Sequence, residues 1–453
     1  MGEYCEESAG SIQGGDSAMN NINSPNIFLI VLDTLREDYA TPIIKELSRF
    51  GFITYQNTIA TAPWTTPSHA SMVTGLYPAF HGAHETKEKK DIRIKLEKHE
   101  FSFVNTLSDK GYKSFLLSPN IYVSPYFGFR GFNKFIDTSI PRILNEKDVE
   151  EFSKIIYKTN TKILPTIKAV LKEKHPRLFF KVFAGYSLKR LRWPKDKGAI
   201  NTVHHLKDLL AVNSQETPLF VMINLLEVHE PYVKGENVSK LRESNRKGHV
   251  PSDRVTRRWQ RRYPEQVEYL KDKLIEIMKL LEEFGLFDDS LIIVTSDHGQ
   301  MLGEHGIIGH GTYLYDELLR VPLAIKYPEN RKVIINEQED TDYISLTKIK
   351  PLVIQAVHND TIDDSILYSP TVFAESYGIP ERIRPTNREE QEYVNSLEKY
   401  RIAVYTRGEK AIFNVTDWKF EHPKGLSNPE IKRSVIKFLE AVVSSRRLKS
   451  TTG

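Results

Sequence analysis

The chain has 453 residues, of which 40% are hydrophobic and 27% charged, and its formal net charge at pH 7 is +4. This length corresponds to roughly two or three domains, and the ordinary composition supplies enough apolar side chains for a large core. The small net charge gives no indication of a nucleic-acid partner, and we predict none.

The first 25 residues are polar and contain neither the basic nor the apolar region of a secretory signal, so we expect a disordered leader. Cys5 is the single cysteine of the chain, which excludes an intrachain disulfide and suits a reducing compartment. The strongest apolar runs are far shorter than the ~20 residues that a membrane span needs. These features together predict a cytoplasmic location.

Short apolar runs alternate with helical patterns along the chain. Continuous apolar runs of this length are typical of strands that are buried on both faces of a parallel sheet. The predicted fold class is therefore α/β, a doubly wound and mainly parallel sheet sandwiched by helices. The predicted strands lie within the segments 26–32, 113–119, 218–232 and 290–299, and the predicted helices lie at 41–50, 68–74 and 265–285.

Polar or ionisable residues follow three of these strands. Asp33 follows the first, Glu227 and His229 follow the third, and Asp297 and His298 follow the fourth. Ligands of such sheets bind beyond the carboxyl ends of the strands. Because three separate strands deliver such residues to the same edge, we predict a functional site there.

Asp33, Asp297 and His298 offer two carboxylates and an imidazole, a set that suits one divalent cation. The stretch from Thr61 to His84 is rich in hydroxyls and imidazoles, and within it Thr65 is the candidate for a fourth ligand. Binding to a metal would lower the pKa of its hydroxyl and make it a nucleophile. Oxygen ligands favour calcium or magnesium and an imidazole favours manganese or zinc, so the metal stays undecided.

Two further regions differ in composition from the rest. Residues 151–200 are basic and aromatic, which fits either a solvated helical insertion or a lid or patch that contacts an anionic polymer or a membrane surface. Residues 401–421 have the pattern of a β-hairpin and residues 428–443 that of a helix. We therefore predict a leader at 1–25, a catalytic domain at 26–367 and a small C-terminal α+β subdomain at 368–447.

Five segments occur in an order that resembles the sulfatase family of the alkaline phosphatase superfamily. The similarity extends over about residues 26–327, and it implies the alkaline-phosphatase-like fold, a bound divalent metal and an anionic ester substrate. The segments are "LIVLDTLR", "APWTTPSHASMVTGLYPAFHG", "LLEVHEPY", "SDHGQMLGEHGIIGHG" and "YLYDELLRVPL".

The resemblance also implies roles for individual residues. Asp33 matches the first metal-binding aspartate of the family, and Asp297 with His298 matches its later metal pair. Thr65 stands at the position of the nucleophile. His229 matches the histidine that precedes x-Pro-Tyr in the family. His310 matches the lysine that contacts the bound anion in the family, and His69 stands at the arginine of the nucleophile motif. We assign both histidines, with Thr65 and His229, to catalysis.

Two departures from the family pattern affect the expected reaction. Sulfatases oxidise a cysteine or serine to formylglycine, whereas Thr65 does not yield that aldehyde by the same route. Thr34 stands where the family has its second aspartate. The sequence Thr-Thr-Pro-Ser-His instead resembles the phosphodiesterase and phosphotransferase relatives, which use a threonine nucleophile.

Three functional hypotheses follow. The first is a metal-dependent hydrolase of sulfate or phosphate esters, which acts on a sulfated or phosphorylated sugar, lipid or small molecule. The second is a phosphodiesterase or phosphotransferase that acts on a sugar- or lipid-linked phosphate, with peripheral membrane contact through residues 151–200. The third is an inactive module that binds an anionic glycan.

Overall fold

A computed structural model describes residues 24–85, 102–141, 148, 176–213, 218–421 and 428–451. Nearly all of the predicted leader therefore lies outside the described residues. So does the part of the predicted basic insertion that precedes residue 176.

The strands and helices are the following, in chain order. The strands are β1 (Asn26–Leu32), β2 (Ile53–Tyr55), β3 (Thr58–Ile59), β4 (Lys113–Ser118), β5 (Lys134–Asp137), β6 (Leu219–Leu225), β7 (Ser290–Thr295), β8 (Met301–Leu302), β9 (Ile308–Gly309), β10 (Leu323–Lys326), β11 (Lys332–Ile334), β12 (Tyr343–Ser345), β13 (Thr361–Asp363), β14 (Tyr368–Ser369), β15 (Thr371–Ser376), β16 (Arg401–Thr406), β17 (Glu409–Asn414) and β18 (Lys419–Phe420). The helices are α1 (Thr41–Arg49), α2 (Thr65–Thr74), α3 (Pro78–His81), α4 (Phe103–Asp109), α5 (Pro176–Arg192), α6 (Ala199–Asn213), α7 (Val238–Arg246), α8 (Asp253–Glu283), α9 (Asp316–Leu319), α10 (Ile349–His358), α11 (Arg388–Leu397) and α12 (Pro429–Thr451).

A seven-stranded sheet in the order β2-β10-β7-β1-β6-β4-β5 forms the centre of the molecule. Strands β7, β1, β6, β4 and β5 run parallel to one another, and β10 is antiparallel to both of its neighbours. Side chains alternate along β1, so that Ile27 and Leu29 enter one apolar core while Phe28 and Ile30 enter the other. Helices cover both faces, which confirms the predicted α/β class.

Helix α8 is longer than the predicted helix at 265–285. The first third of its sequence is strongly basic, and Pro264 lies inside it, so the sequence pattern gave no reason to extend the helix. In the structure, Trp259 and Tyr263 are fully buried against the core, and this burial stabilises the extra turns.

Helix α2 also begins earlier than predicted, at Thr65 rather than near Ser68. Trp64 has an extended backbone (φ −161°, ψ 167°) and precedes the first helical residue. The hydroxyl of Ser68 donates to the carbonyl of Ala62 at 2.9 Å and holds the incoming chain against the first turn. Thr65 is therefore itself the first residue of the helix.

The C-terminal region forms a separate four-stranded antiparallel sheet in the order β15-β16-β17-β18. Arg407 and Gly408 form the turn between β16 and β17 with positive φ angles, as the predicted hairpin requires. The side chain of Asn428 accepts a hydrogen bond from the amide of Glu430 at the start of α12, which packs on this sheet through Ile431. Across the described chain, every helix is too short or too polar to cross a membrane.

Candidate active site

The site lies at the carboxyl ends of β6, β1 and β7, three adjacent parallel strands of the central sheet. Asp33 comes directly after β1, and Asp297 and His298 follow β7 by two and three residues. One ligand atom from each of these three residues lies within 4.8 Å of the others. The parallel strands end at the same edge of the sheet, and this arrangement brings the metal ligands predicted from the sequence together.

Both carboxylates are fully buried, and each keeps one oxygen without a hydrogen-bond partner among the described residues, namely Oδ1 of Asp33 and Oδ2 of Asp297. The other oxygen of Asp33 accepts from Asn120 Nδ2 at 2.8 Å and from Asn224 Nδ2 at 3.1 Å. The other oxygen of Asp297 accepts from the amides of Thr34 at 3.1 Å and His298 at 2.9 Å. Buried oxygens without partners are costly unless a ligand satisfies them.

The pKa values of Asp33 and Asp297 also favour a bound cation. Burial, with a contribution from the nearby Asp297, raises the pKa of Asp33 to about 6. Burial raises the pKa of Asp297 to about 7, although the backbone amides that it accepts from act against this rise. Two buried carboxylates this close repel each other, and a bound divalent cation would relieve that repulsion.

The Nδ1 atom of His298 lies 2.8 Å from the carbonyl oxygen of Gly299. A carbonyl oxygen only accepts, so Nδ1 carries the proton and Nε2 keeps its lone pair. Nε2 lies 3.3 Å from Oδ2 of Asp297 and 3.3 Å from the hydroxyl of Thr65. Burial lowers the pKa of His298, which favours the neutral form that binds metals.

Thr65 is positioned by the first turn of α2 and by His69 one turn later. The Nδ1 atom of His69 donates to the carbonyl of Thr65 at 3.0 Å and lies 3.5 Å from Oδ2 of Asp297. His69 is fully buried, and burial lowers its pKa to about 3, so the ring is neutral. The helix begins at Thr65, and its electropositive end favours an anion there.

A second group of ionisable residues contains His229, Glu230 and His310. His229 donates from Nδ1 to the carbonyl of Glu230 at 2.6 Å, and His310 donates from Nδ1 to Oε1 of Gln300 at 2.8 Å. The amide of Gln300 donates in turn to Oε2 of Glu230 at 2.7 Å. The rings of His229 and His310 are 4.9 Å apart, and that of His310 is 4.6 Å from the ring of His298.

Glu230 is fully buried, and Nη1 of Arg242 donates to its Oε1 at 2.8 Å. Burial by itself raises the pKa of Glu230, but His229 and Arg242 outweigh it and lower the pKa to about 2. Burial, together with repulsion from the neighbouring histidines, lowers the pKa of His310 well below its usual value. An ionised Glu230 accepts from Gln300, so Gln300 presents its carbonyl to His310 and sets the orientation of that ring.

A cavity of about 300 Å³ opens over Thr65, His229 and His310. Its walls are partly apolar and partly charged. The apolar part includes the aromatic rings of Trp64 and Tyr122, which meet edge to face at 6.2 Å. The residues that line the cavity are Trp64, Thr65, Pro119, Asn120, Ile121, Tyr122, Leu226, His229, Arg242, Arg246, His310, Gly311, Pro380 and Glu381.

Glu227 follows β6, but it does not join the site. Its Oε1 accepts from the amides of Lys197 at 3.0 Å and Ala199 at 2.9 Å, so the carboxylate caps the start of α6. The Nζ atom of Lys197 donates to the carbonyl of Glu227 at 2.6 Å. The role of Glu227, which the sequence left open, is therefore structural in this geometry.

Thr34, which the resemblance places at the position of a second aspartate, has a left-handed backbone, with φ of 66°. This conformation is strained for a β-branched residue. In this conformation the Thr34 amide donates to Oδ1 of Asp297, while the Thr34 carbonyl accepts from the hydroxyl of Tyr263 at 2.6 Å. The backbone of Thr34 thus supports the cluster in place of a side-chain ligand.

Sequence reasoning missed several residues that contact the site. Asn224 carried a usable signal, because it is a polar residue next to the carboxyl end of the otherwise apolar β6. Gln300 and Glu230 lie beside motif residues, yet their pairing joins loops that are 70 residues apart. Asn120 and Arg242 come from loop and helix segments without a recognisable motif.

Comparisons with known proteins identify related sequences and folds. The family profile described as "Sulfatase" matches residues 25–358. A low-salt glycan biosynthesis sulfotransferase, Agl7, from Haloferax volcanii is 34% identical over 113 residues, which are 24% of this chain and 27% of that protein. An N-acetylglucosamine-6-O-sulfatase from Bacteroides thetaiotaomicron is 30% identical over 94 residues, which are 21% of this chain and 17% of that protein. The chain thus aligns with about a quarter or less of these curated relatives.

Among solved structures, a phosphonate monoester hydrolase from Silicibacter pomeroyi superposes with a TM-score of 0.59. The superposition covers 93% of this chain and 95% of that protein at 14% sequence identity. Identity this low carries the fold alone, which is the alkaline-phosphatase-like architecture predicted from the sequence.

Proposed function

Because the chain belongs to the sulfatase family, we propose that it is a metal-dependent hydrolase of sulfate or phosphate esters with Thr65 as its nucleophile. The observation that carries this proposal is the position of the Thr65 hydroxyl. It lies in the wall of the cavity, 3.3 Å from Nε2 of His298, which in turn lies 3.3 Å from the unpartnered oxygen of Asp297.

The residues that would hold the divalent cation are Asp33, Asp297, His298 and Thr65. The fit rests on two buried carboxylate oxygens without partners in the described structure and on one imidazole lone pair. When bound, the cation supplies positive charge that lowers the pKa of the Thr65 hydroxyl and offsets the two carboxylates. Members of the family generally bind a divalent metal ion, and this donor set leaves calcium, magnesium, manganese and zinc open.

In the proposed reaction, Oγ1 of Thr65 attacks the sulfur or phosphorus atom in line with the ester oxygen. The Thr65 hydroxyl releases its proton to solvent water, Oγ1 bonds to the sulfur or phosphorus atom, and the bond to the ester oxygen breaks, so that the alcohol leaves with a proton. Water then attacks the same atom, breaks its bond to Oγ1, returns a proton to Thr65 and releases sulfate or phosphate. His69 is a positioning residue in this scheme, because it holds the Thr65 carbonyl and lies outside the cavity lining.

His229 and His310 line the same cavity, and their Nδ1 atoms are engaged by fixed acceptors. Only Nε2 of each ring is therefore available to the substrate. The charge of a bound anion favours protonation of these rings and, at His310, opposes the burial that lowers its pKa. A protonated Nε2 then binds the peripheral oxygens of the anion or delivers a proton to the leaving oxygen.

Names of the relatives support a sugar as the organic part of the substrate. Agl7 is described as a glycan biosynthesis sulfotransferase, and the Bacteroides thetaiotaomicron relative as an N-acetylglucosamine-6-O-sulfatase. The cavity supports the same choice, because the rings of Trp64 and Tyr122 offer apolar faces beside polar groups. A sulfated or phosphorylated sugar is the substrate class that we propose.

The test is an assay of metal-stripped protein after addition of manganese, calcium, magnesium or zinc. The substrates are 4-nitrophenyl sulfate, 4-nitrophenyl phosphate, bis-4-nitrophenyl phosphate and a phenylphosphonate monoester. We expect metal-dependent cleavage that falls by at least roughly a thousandfold in Thr65→Ala. Thr66→Ala is the matched control, since Thr66 is the next helical residue and donates to the carbonyl of Tyr122 instead.

Cleavage that survives in Thr65→Ala would contradict the proposed nucleophile. Retained affinity for sulfated glycans, with no turnover in the parent protein under any metal, would instead support a binding module. A preference for phosphate or phosphonate esters over sulfate esters would agree with a threonine, which does not yield formylglycine by the same route, at position 65.

Transfer of the group to a sugar or lipid acceptor is a second candidate, supported by helix α5. Phe180, Phe183 and Leu191 are exposed and fall on one side of this helix, and the helix also carries exposed arginines. Sedimentation with anionic lipid vesicles and product formation that depends on an added acceptor would support transfer. Full release of free phosphate without an acceptor would count against it.

A further inference from the structure

Helix α7 carries two arginines one turn apart, Arg242 and Arg246, on the wall of the cavity that contains Thr65. They lie outside the five segments that resemble the sulfatase family, and the proposed chemistry at Thr65 does not use them. Their side chains are largely buried, with 19% of Arg242 and 6% of Arg246 exposed. Two guanidinium groups this deep in a cavity need anionic partners.

The two arginines share one carboxylate partner, and each has a second partner of its own. Arg242 contacts Glu230, which is fully buried, and its Nη2 lies 3.1 Å from Oε1 of Glu381. Arg246 contacts the other oxygen of Glu381 through Nη1 and donates through Nη2 to the carbonyl of His310 at 2.9 Å. Glu381 therefore bridges both guanidinium groups with one carboxylate.

Glu381 is the most exposed member of this group, with 37% of its side chain accessible. It lies between β15 and α11, outside the elements that carry the other charges. Its carboxylate already contacts solvent, so another anion can replace it between the two arginines, whereas Glu230 is buried and cannot be exchanged in this way. In addition, Nε of Arg242 is buried and has no hydrogen-bond partner in the described part of the chain.

We propose that Arg242 and Arg246 form a second anion subsite, and that the substrate carries a second anionic group on its organic part. This group, a carboxylate, sulfate or phosphate, takes the place of Glu381 between the two arginines while the ester lies over Thr65. The inference rests on the proposed ester hydrolysis and narrows its substrate to sugars with a second negative charge. Planar guanidinium groups suit such anions because they bind both oxygens at once.

The experiment compares 4-nitrophenyl phosphate with 3-carboxy-4-nitrophenyl phosphate, or the two corresponding sulfates, in the metal-loaded enzyme. The readout is the ratio of kcat/KM for the carboxylated ester to kcat/KM for the parent ester. We expect a ratio of about 10 or more, since a charge-assisted hydrogen bond contributes roughly that factor. Arg246→Gln should lower the ratio about tenfold, and Glu381→Gln should raise it, because the internal competitor is removed.

Lys240→Gln is the matched control, as it removes a positive charge from the same helix at a position outside the cavity lining. Glu381 is partly exposed, so its variant keeps the test valid if Arg246→Gln fails to fold. Equal kcat/KM for the two esters in the parent enzyme, or a ratio that neither variant changes, would overturn the subsite.

Failure of the subsite and failure of the proposed function give different results. Without esterase activity, neither ester is turned over, and the proposed function fails. The subsite is then tested by calorimetric binding of the two esters to the Thr65→Ala variant. Tighter binding of the carboxylated ester that depends on Arg246 supports the subsite, and equal binding overturns it.

Discussion

Two clusters of similar composition lie side by side at the edge of the central sheet. The first contains Asp33, Asp297 and His298, and the second contains His229, Glu230 and His310. Each offers carboxylate oxygens and imidazole nitrogens within 4.8 Å of one another. On residue types alone, either would qualify as a metal centre.

The two clusters differ in which of their lone pairs are already used in hydrogen bonds. In the first cluster one oxygen of each aspartate is free of partners among the described residues, and Nε2 of His298 faces them. In the second, both oxygens of Glu230 are already hydrogen-bonded, to Arg242 and Gln300, and both Nδ1 atoms donate to fixed acceptors. The donor atoms of the first cluster are therefore available to a cation, whereas those of the second hold two imidazoles in place, so donor types alone do not identify a metal site.

The largest expected effect comes from the first cluster. Asp297→Asn removes one charge and one of the two unpartnered oxygens, so we expect bound metal to fall from one ion per chain to none. Activity should fall by at least roughly a thousandfold, as is usual when a group central to catalysis is lost. Elemental analysis of the purified variant, together with ester hydrolysis, checks this. An Asp297→Asn variant that retains one ion per chain would contradict the assignment.

The second cluster should respond differently. Glu230→Gln weakens the chain from Glu230 through Gln300 to His310, so the ring loses its fixed orientation. We expect kcat/KM to fall about 10- to 100-fold, the usual cost of losing such a supporting partner, while one metal ion per chain is kept.

Glu236→Gln is the matched control for Glu230→Gln. Glu236 is also a largely buried carboxylate and pairs with Arg258 at 2.5 Å, outside the cavity that holds Thr65. Its replacement should cost stability without a comparable loss of kcat/KM. Loss of the metal in Glu230→Gln would show that the two clusters are not separate.

The smallest effect concerns stability at acid pH. The pKa of Glu230 is lowered to about 2 in the folded protein, below its usual value of 4.5. A lowered carboxyl pKa contributes stability that is fully present above pH 4.5 and is lost as pH falls towards 2. The contribution is at most roughly 3 kcal/mol.

The measurement is the free energy of unfolding by denaturant for the parent protein and for Glu230→Gln. Part of the difference between the two should shrink as pH falls from 5 towards 2, because the parent loses the contribution of its ionised Glu230. A difference that stays constant over this range would show that Glu230 is not held ionised by Arg242 and the histidines.

Much of the fold could be predicted because the relevant signals are local. The run Asn26–Leu32 is apolar at nearly every position, and the structure makes it the buried strand β1 with the predicted bounds. The parallel arrangement then brings Asp33, Asp297 and His298 to one edge, since strand ends in such sheets point the same way. The resemblance to the sulfatase family is likewise confirmed, whereas the roles of the site residues and the cytoplasmic location stay predictions.

The predicted starts of α2 and α8 were wrong because both depend on contacts made in the folded protein. The start of α2 was placed three residues too late, because the contact between Ser68 and Ala62 that holds its first turn depends on a loop conformation. The early start of α8 depends on the burial of Trp259, which a basic sequence does not reveal.

The sequence by itself determined the α/β class, the family and the residues at the ends of the strands, because periodicity and motif spacing depend on neighbours along the chain. Only the tertiary structure decided how those residues are paired. Glu227 and Glu230 lie three residues apart, yet one caps a helix and the other orients His310 through Gln300. Hydrogen bonds between segments that are distant in sequence decide which lone pairs stay available for a cation, and that choice has no signature in local sequence.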